Sequence, residues 1–571
     1  MKPNEPIDLA KAQTICIIQL TRMGDLLQTL QAAQLFKKRY PQIRLILVCR
    51  KQFYKALHSF FTETFAQVYA LDYEHFIAPS PDQSPLTAAL QRLRRWLSAI
   101  NEEDIEVAVN LSFSLSSSYL TKLIKAKHYL GLSRRNNNEL EILGNWAMYL
   151  YATTMGGSLN PFSLVDLYQL MLAPPATSPA PNEVAPKSET IWRPATLPAD
   201  WAEREWRLVV HPFASHGKKT WKIHKWGEVI YKIARQLPSL KITIVGSPAD
   251  VKDGQQLEDM ALIKQVIGQL EWKIGKLSIR DLATNMAKAK LLLAADSMAQ
   301  QLTMISHTPA VILALGCVRP AETTAYAPYH LVLAPRRKCF PCFLKDPCPD
   351  LACHANLSES IVVQIVTEYL SNQGLDLAKF KQRNSAFYRE GVSLWASEFD
   401  ARGLFNLKPL VGGQDLRDIF RQLYRVVFAY DLGQIECPAP FPEISGPLRQ
   451  ILQQHQQGLN YLSKLYQFGK TYSQAIIQEL AVNPPALDKI KANTQKIAEI
   501  EDLQGILKKT YPFLAPIIDF GLVRKANLAG ANLVQIAESS YFTYERSLWQ
   551  AQALQELIQQ TINHYQNFAS I

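Results

Sequence analysis

Short, almost wholly apolar runs alternate with amphipathic stretches through the first part of the chain, and this alternation restricts the fold more than any other feature. Three runs have the composition of strands buried on both faces of a sheet, namely TICIIQL (14–20), IRLILVCR (43–50) and IEVAVNLSFS (105–114). The stretch LLQTLQAAQLFKKRYP (26–41) has the apolar spacing of a helix. Strand–helix–strand order predicts an open parallel sheet whose ligands lie beyond the carboxyl ends of its strands.

The same alternation returns after residues 173–200, a stretch that is rich in Pro, Ala and Ser and predicts a linker. The strand-like runs there are RLVVHPFAS (207–215), LKITIVGS (240–247), LLLAAD (291–296) and AVILALG (310–316). Two α/β domains joined by a linker leave a cleft between their facing strand ends. A ligand is expected in that cleft.

These patterns divide the chain into two predicted Rossmann-like domains, 1–172 and 201–372, with linkers at 173–200 and 373–390. A mainly helical domain is predicted for 391–571, because apolar residues recur there at helical spacing beside Gln-rich faces. Such a bundle could cover a second copy of the chain or recruit a protein partner. We expect it to be separable from the two α/β domains near 373–390.

Charge and composition narrow the classes of function. The 571 residues carry a net charge of +11 and a pI near 9, which favours an acidic partner such as a phosphorylated substrate or an anionic membrane surface. The basic residues are dispersed and no nucleic-acid-binding signature is evident, so nucleic acid is not predicted as a partner. Without a signal peptide or a long apolar run, the chain is predicted to be cytoplasmic, with the inner face of the membrane as one place of action.

Half of the eight cysteines lie within RRKCFPCFLKDPCPDLACH (336–354). Because cytosolic thiols stay reduced, the spacing C-x2-C-x5-C-x4-C predicts one structural zinc or iron ion held by Cys339, Cys342, Cys348 and Cys353. The alternative is a reduced, Pro-punctuated loop or facultative disulfides. His354 is superfluous as a ligand if all four thiolates bind.

Six landmarks in order, between about residues 13 and 372, resemble glycosyltransferase family 9, whose best-known members are the ADP-heptose:lipopolysaccharide heptosyltransferases. They are RMGDLLQTLQAAQLFKKRYP, VNLSFSLSSSYLTKLIKAKHYLGL, VVHPFASHGKKTWKIHKWGEVI, ITIVGSPAD, IGKLSIRDLATNMAKAKLLLAADS and TPAVILALG. The resemblance implies the GT-B fold, in which two Rossmann-like domains face a cleft, and an inverting transfer without a catalytic metal. Some family members carry a similar cysteine-rich finger and bind iron.

Asp25 follows Gly24 in the first strand-to-helix turn, where its carboxylate can project into the cleft. A base is needed there to take the proton of an acceptor hydroxyl as it attacks an anomeric carbon. By resemblance, Asp25 is the family's proposed catalytic base. The alternative is that Asp25 only caps the helix that follows it.

The donor is predicted to bind the second domain. Ser215 and Lys219 lie in a polar turn after a strand, where a hydroxyl, backbone amides and an ammonium could hold a diphosphate. Lys219 matches the family's phosphate-binding lysine, whereas Lys218 is expected to be solvated. Asp296 and Ser297 begin a helix that can present free amides to a phosphate, or they merely cap it. Asp250 is a further candidate, for a contact with the nucleoside ribose.

The chain departs from the family pattern at two positions of this helix. Met298 replaces a glycine, and Gln301, which we include among the nucleotide-binding residues, stands where a histidine is usual. A glycine there would let the backbone approach the ligand closely. The departures therefore bear on the pose of the donor and on activity.

The predicted function is an inverting glycosyltransferase of the bacterial cell envelope that moves heptose from ADP-heptose to a hydroxyl of a lipopolysaccharide core or a protein. A UDP or GDP sugar is the alternative donor. The alternative from another class is a non-catalytic binding or assembly protein with a degenerate donor site, which Met298 and Gln301 favour.

Overall fold

The structure, a computed structural model, describes residues 12–78, 84–157, 159–173, 191–194, 196–377, 391–411, 415–437 and 446–569, together with Leu9 and Ile444. Most of the two predicted linkers, at 174–190 and 378–390, lies outside these residues. In the described part of the chain, no helix combines the length and the apolar character that crossing a membrane requires.

The first domain is a six-stranded sheet in the order β3-β2-β1-β4-β5-β6, parallel except for β6 at its edge. Its elements are β1 (Thr14–Gln19), α1 (Met23–Arg39), β2 (Arg44–Arg50), α2 (Lys51–Leu57), β3 (Gln67–Leu71), α3 (Tyr73–Ile77), α4 (Pro85–Asn101), β4 (Val107–Asn110), α5 (Leu115–Leu123), β5 (His128–Arg134), β6 (Leu140–Leu143), α6 (Asn145–Gly156) and α7 (Leu164–Leu172). Every residue of β1 is buried, as its apolar sequence requires of a central strand.

The second sheet has eight strands in the order β10-β9-β8-β11-β12-β13-β15-β16. The elements are β7 (Ile191–Trp192), β8 (Glu205–His211), α8 (Ile223–Gln236), β9 (Lys241–Gly246), α9 (Val251–Glu258), α10 (Ala261–Lys264), β10 (Leu270–Ile274), α11 (Ile279–Ala287), β11 (Ala289–Ala295), α12 (Met298–Ser306), β12 (Ala310–Leu313), α13 (Pro320–Thr323), β13 (Leu331–Pro335), α14 (Ala352–Ala355), α15 (Glu359–Asn372), β14 (Leu375–Asp376), β15 (Val392–Phe399) and β16 (Phe405–Val411). The predicted fold class, two Rossmann-like domains followed by a mainly helical region, is confirmed.

The predicted helical domain 391–571 begins differently from the expectation. Residues 392–411 form the hairpin β15–β16, which adds two antiparallel strands to the edge of the second sheet. The first six residues of β15 are buried, so this strand completes the core of the second domain. The helices that follow are α16 (Leu416–Gly433), α17 (Gly446–Leu480), α18 (Leu487–Thr510), α19 (Ala515–Ala526) and α20 (Leu533–Ala569).

The C-terminal helices pack on the first domain as well as on one another. The ring of Tyr149 on α6 lies 4.7 Å from that of Phe428 on α16, and it also contacts Phe520 on α19. The backbone N–H of Ile142 donates to Asn527 Oδ1 at 2.7 Å. These contacts argue against the expectation of a separable bundle, because the helices share their apolar core with the α/β domains.

Candidate functional site

The carboxyl ends of β1 and β11 face each other across a cleft between the two sheets, where α1 approaches α12 and α13. A Cβ built on Gly24 would lie 3.7 Å from Gln301 Cγ, so α1 and α12 nearly touch. Gln28 Nε2 donates to the carbonyl oxygen of Glu322 at 3.2 Å, and Gln301 Nε2 donates to that of Thr323 at 2.5 Å. These bonds tie all three helices together at the cleft.

Asp25 lies half-buried in the first turn of α1, on the first-domain wall of the cleft. Its Oδ2 accepts a hydrogen bond from the backbone N–H of Arg22 at 3.2 Å, so the carboxylate does cap the helix. Burial raises the pKa of Asp25, whereas the Thr21 hydroxyl and the charges of Arg22 and Lys219 act to lower it. Only one carboxylate oxygen of Asp25 is needed for the cap. The capping hydrogen bond is therefore compatible with a role of Asp25 as a base.

Lys219 and Asp296, both predicted donor-site residues, form an ion pair on the opposite wall. Lys219 Nζ lies 2.5 Å from Asp296 Oδ2, and the two side chains are only 13% and 6% exposed. The other oxygen of Asp296 accepts hydrogen bonds from Thr323 Oγ1 at 3.1 Å and from the Gln300 amide. Asp296 thus holds the ammonium at the carboxyl end of β11, within electrostatic range of Asp25.

The remaining predicted donor residues lie at neighbouring strand ends. Ser297 precedes α12, and its Oγ lies 3.2 Å from His211 Nδ1 at the end of β8. Ser215 is exposed in the turn that follows β8. The Asp250 carboxylate is bound within its own turn, where Oδ2 accepts hydrogen bonds from Ser247 N at 2.7 Å and from Ser247 Oγ at 2.6 Å.

His211 is a site residue that sequence reasoning missed, although its place directly after the buried strand β8 was a signal. It is buried beside Ser297, and burial lowers its pKa while the charge of Asp250 acts in the opposite direction. A neutral imidazole there can either donate a hydrogen bond or accept one. Through His211 the structure brings Asp250 and Ser297 into one neighbourhood.

The two departures from the family pattern have different structural consequences. Met298 is half-buried and is the first residue of α12. Gln301 is buried, and while its amide nitrogen is bound to Thr323, its Oε1 has no hydrogen-bond partner among the described residues. A buried carbonyl oxygen without a hydrogen-bond donor is costly, so Gln301 lowers stability at this position.

The cysteine-rich loop, residues 336–354, lies against the turn that carries Lys219. Lys218 Nζ donates to the carbonyl oxygens of Phe343 (2.8 Å) and Asp346, so the expectation that Lys218 is solvated is wrong. His354 Nε2 lies 2.9 Å from the carbonyl oxygen of Lys218, and Trp221 Nε1 donates to the carbonyl oxygen of His354 at 3.3 Å. The ammonium of Lys218 can be buried because two carbonyl oxygens of the loop accept its hydrogen bonds.

The four loop thiols are neighbours, but they do not form a finished metal site. Burial raises the pKa of Cys353, and the nearby Cys348 and Cys339 add to that effect; the pKa of Cys342 is raised by burial and by interaction with Cys317 and Cys353. Across the described residues, no three His, Cys, Asp or Glu side chains stand at metal-binding spacing. The donor set has the chemistry for zinc or iron but not the spacing, and the ion stays a prediction.

Neither a family model nor a curated protein matches the chain. Solved structures similar to it include Escherichia coli heptosyltransferase WaaC with ADP (17% identity, TM-score 0.42), where the match covers 62% of this chain and 99% of that one. The glycosyl transferase family 9 protein of Veillonella parvula (16%, TM-score 0.41) matches over 64% and 98% of the two chains. The iron-containing glycosyltransferase TibC of enterotoxigenic E. coli (12%, TM-score 0.35) matches over 64% and 78%. These proteins include a member of the family that the sequence resembles. The function proposed below is argued from the residues of the site.

Proposed function

We propose that the chain is an inverting glycosyltransferase that moves a sugar from a nucleotide donor to an acceptor hydroxyl. The observation that carries the proposal is the placement of Asp25 on one wall of the cleft and of the Lys219–Asp296 pair on the other. A base and a diphosphate-binding cation are thus presented to one space from two domains. ADP-heptose as donor, and a lipopolysaccharide core or a protein as acceptor, follow from the resemblance of the motifs around these residues.

The proposed reaction is a single displacement. The acceptor oxygen attacks the anomeric carbon from the side opposite the diphosphate, the bond from that carbon to the phosphate oxygen breaks, and the hydroxyl proton passes to Asp25. A raised pKa suits Asp25 to this task because it must bind the proton that it removes. The step inverts the anomeric configuration and releases a nucleoside diphosphate.

The second-domain wall stabilises the departing charge. The Lys219 ammonium is held in place by Asp296, and the first amides of α12 are free to donate to phosphate oxygens. Because Asp296 pairs with the lysine, a diphosphate must compete for that ammonium. The cluster of His211 and Ser297 beside it offers further hydrogen-bond donors.

A non-catalytic binding protein is the second candidate. It is favoured by Met298, whose side chain stands where the family has glycine, and by Gln301, whose amide nitrogen ties α12 to α13. In that case the cleft would bind a nucleotide sugar, or nothing, without turning it over.

A calorimetric and thermal-shift panel of ADP-heptose, UDP-glucose, GDP-mannose and ADP on the full-length protein tests the proposal. We expect ADP-heptose to stabilise the protein, and Lys219→Ala to weaken ADP binding by about 10- to 100-fold, the range expected for loss of a charge-assisted contact. Lys222→Ala, an exposed residue of the same turn, is the matched control. Stabilisation by a UDP or GDP sugar instead would replace the donor, and no response to any of the four compounds would contradict the proposal.

A further inference from the structure

A cavity of about 340 Å³ lies where the end of α6, the second domain and the C-terminal helices meet. Its walls include Asn160 from the first domain, Arg319 and Glu322 at α13, Arg417 on α16 and Phe513 in the short turn before α19. None of Asp25, Lys219 and Asp296 lines it. The cavity shares one wall with the cleft, because the carbonyl oxygens of Glu322 and Thr323 accept from Gln28 and Gln301 on the cleft side of α13.

Positive charge dominates the lining of this cavity. Three acidic side chains, of Glu322, Asp415 and Asp418, face six basic ones, which are Arg319, Arg336, Arg337, Arg417, Arg421 and Lys508. This excess of basic side chains gives the cavity a positive potential, since field lines concentrate between low-dielectric walls. The preferred occupant is therefore an anion.

Some of these basic groups form hydrogen bonds within the protein and so stabilise the walls of the cavity. Arg421 donates to Asn406 Oδ1 at 3.0 Å and to the carbonyl oxygen of Leu407 at 2.7 Å, which fastens α16 to β16. Lys508 Nζ donates to Asp519 Oδ1 at 2.6 Å. These groups contribute charge to the cavity while their hydrogen bonds hold the C-terminal helices in place.

Arg417 has no such role in the described structure. Arg417 is half-buried, and its guanidinium makes no hydrogen bond and no ion pair within 4 Å to any described residue. Burial lowers the pKa of Arg417, the charges of Asp415 and Asp418 act to raise it, and Arg319 lies close enough for the two positive charges to act against each other. A guanidinium that lines a cavity and makes no bond to the described residues can donate hydrogen bonds to an anion placed there.

The lining of the cavity also contains aromatic side chains. Phe340 of the cysteine-rich loop and Trp395 of β15 are buried, and Phe513 is a further lining residue. Aromatic faces provide contact area for a ring or another apolar group, and guanidinium forks match the oxygens of a phosphate. The combination is typical of a site for a small organic anion.

We propose that this cavity binds a small organic phosphate, with the phosphate between Arg417 and Arg319 and the organic part against Phe340 and Phe513. Arg319 Nη1 is bound to the Thr153 carbonyl oxygen and to Glu322, so its other nitrogens would face the phosphate. The site is separate from the donor cleft and depends on the C-terminal region, because Arg417 lies on α16 and Phe513 lies in the turn between α18 and α19. It goes beyond the proposed glycosyl transfer and does not require that activity. A ligand there would contact the same short helix α13 that braces the cleft.

Calorimetric titration of the full-length protein with phenyl phosphate at constant ionic strength tests the proposal. We expect Arg417→Gln to weaken binding by at least about 10-fold and to leave the thermal midpoint of the free protein unchanged or raised, since a charge without an acceptor is removed. Arg235→Gln, at an exposed position on α8, is the matched control and should bind as the wild type does.

Two comparisons separate this site from the cleft. Lys219→Ala should leave phenyl phosphate binding at the cavity unchanged, and inorganic phosphate should bind at least about 10-fold more weakly than phenyl phosphate because it gains no contact with the rings. The proposal is overturned if Arg417→Gln and Arg235→Gln titrate alike, or if Lys219→Ala alone abolishes binding. Equal affinity for the two phosphates would overturn the organic part of the assignment.

Discussion

At the scale of single residues, Asp25 shows how one side chain can cap a helix and still face the cleft. Its Oδ2 accepts a hydrogen bond from Arg22 N, and the charge of Lys219 in the second domain acts on the same carboxylate. The capping hypothesis and the catalytic hypothesis are therefore compatible. They are separated by kinetics, because a cap contributes to stability and a base contributes to turnover.

Asp25→Asn should lower kcat by roughly 10²- to 10⁴-fold, the usual effect of removing a general base, while donor affinity stays near that of the wild type. Because burial raises the pKa of Asp25, the wild-type rate should begin to fall with acidification at a pH above the ordinary range of an aspartate. That acidic limb should be absent from the residual rate of the variant. A transfer assay over pH and a donor titration measure these quantities.

Asp281→Asn is a control for the capping effect, since Asp281 occupies the same third position of α11 and bonds to the capping Ser278 away from the cleft. It should cost a similar amount of stability and leave kcat unchanged. Equal kinetic effects in the two variants would remove Asp25 from the chemistry.

At the scale of elements, the cysteine-rich loop is fastened to the turn between β8 and α8. Lys218 donates to two loop carbonyls, and a Cβ added to Gly157 at the end of α6 would collide with the Phe343 ring. The loop therefore contacts both α/β domains beside the Lys219 turn. Anything that orders the loop, a metal ion included, would help to fix the position of Lys219.

Protein purified without added metal is expected to contain about one zinc or iron ion per chain. Cys342→Ser should lower both the metal content and the apparent Tm, because ligand loss removes binding energy that stabilises the folded loop. Elemental analysis and thermal scans on the same samples measure the two effects. Cys437→Ser, a half-buried cysteine outside the loop, should leave the metal content unchanged. The metal prediction would be contradicted if the wild-type protein contained no metal and Cys342→Ser had the same Tm as the wild type.

At the scale of the whole molecule, Asp166 on α7 connects the first domain to the second sheet. It accepts hydrogen bonds from the Tyr326 hydroxyl at 2.7 Å and from the backbone N–H of Phe405 at 3.0 Å. The ring of Tyr326 in turn packs against that of Phe405, with centroids 5.5 Å apart. The relative placement of Asp25 and Lys219 depends on this junction as well as on the cleft itself.

Asp166 should make stability depend on pH. Burial raises its pKa from 3.8 to about 7, partly offset by the charge of Arg425, so the folded chain holds a proton that the unfolded chain has already lost. Its contribution is therefore full below about pH 4 and declines as pH rises to about 7. The Tm gap between wild type and Asp166→Asn should be larger at pH 5 than at pH 8, by an amount equivalent to roughly 2 to 3 kcal/mol.

An exposed acid, Asp253 on α9, is the control for this pH dependence, and the gap for Asp253→Asn should be the same at both pH values. A gap for Asp166→Asn that is constant or grows with pH would show that the carboxyl is ionised throughout.

The C-terminal region should be needed for folding. A chain ending at residue 375 lacks β15 and β16, which would leave the edge of the second sheet unpaired, and it uncovers Tyr149 on α6. We expect this chain to be insoluble or to lack a cooperative thermal transition, in contrast to the full-length protein. Soluble, cooperatively folding protein that binds ADP as the full chain does would contradict this expectation.

The sequence by itself determined the strands β1, β2, β4, β8, β9, β11 and β12, together with the residues in the turns that follow them. Buried central strands such as β1 and β11 have to be apolar along their whole length, and parallel strands bring their carboxyl ends to one edge, so the pattern of residues suffices to assign Asp25 and Asp296 to a cleft. The tertiary structure alone decided that Lys218 is buried, that residues 392–411 join the second sheet, that the C-terminal helices share a core with α6, and that Arg417 faces a cavity. Each of these depends on contacts between residues far apart in the chain, where a partner's carbonyl or ring sets the environment, and such a contact leaves no periodic pattern in the sequence around either residue.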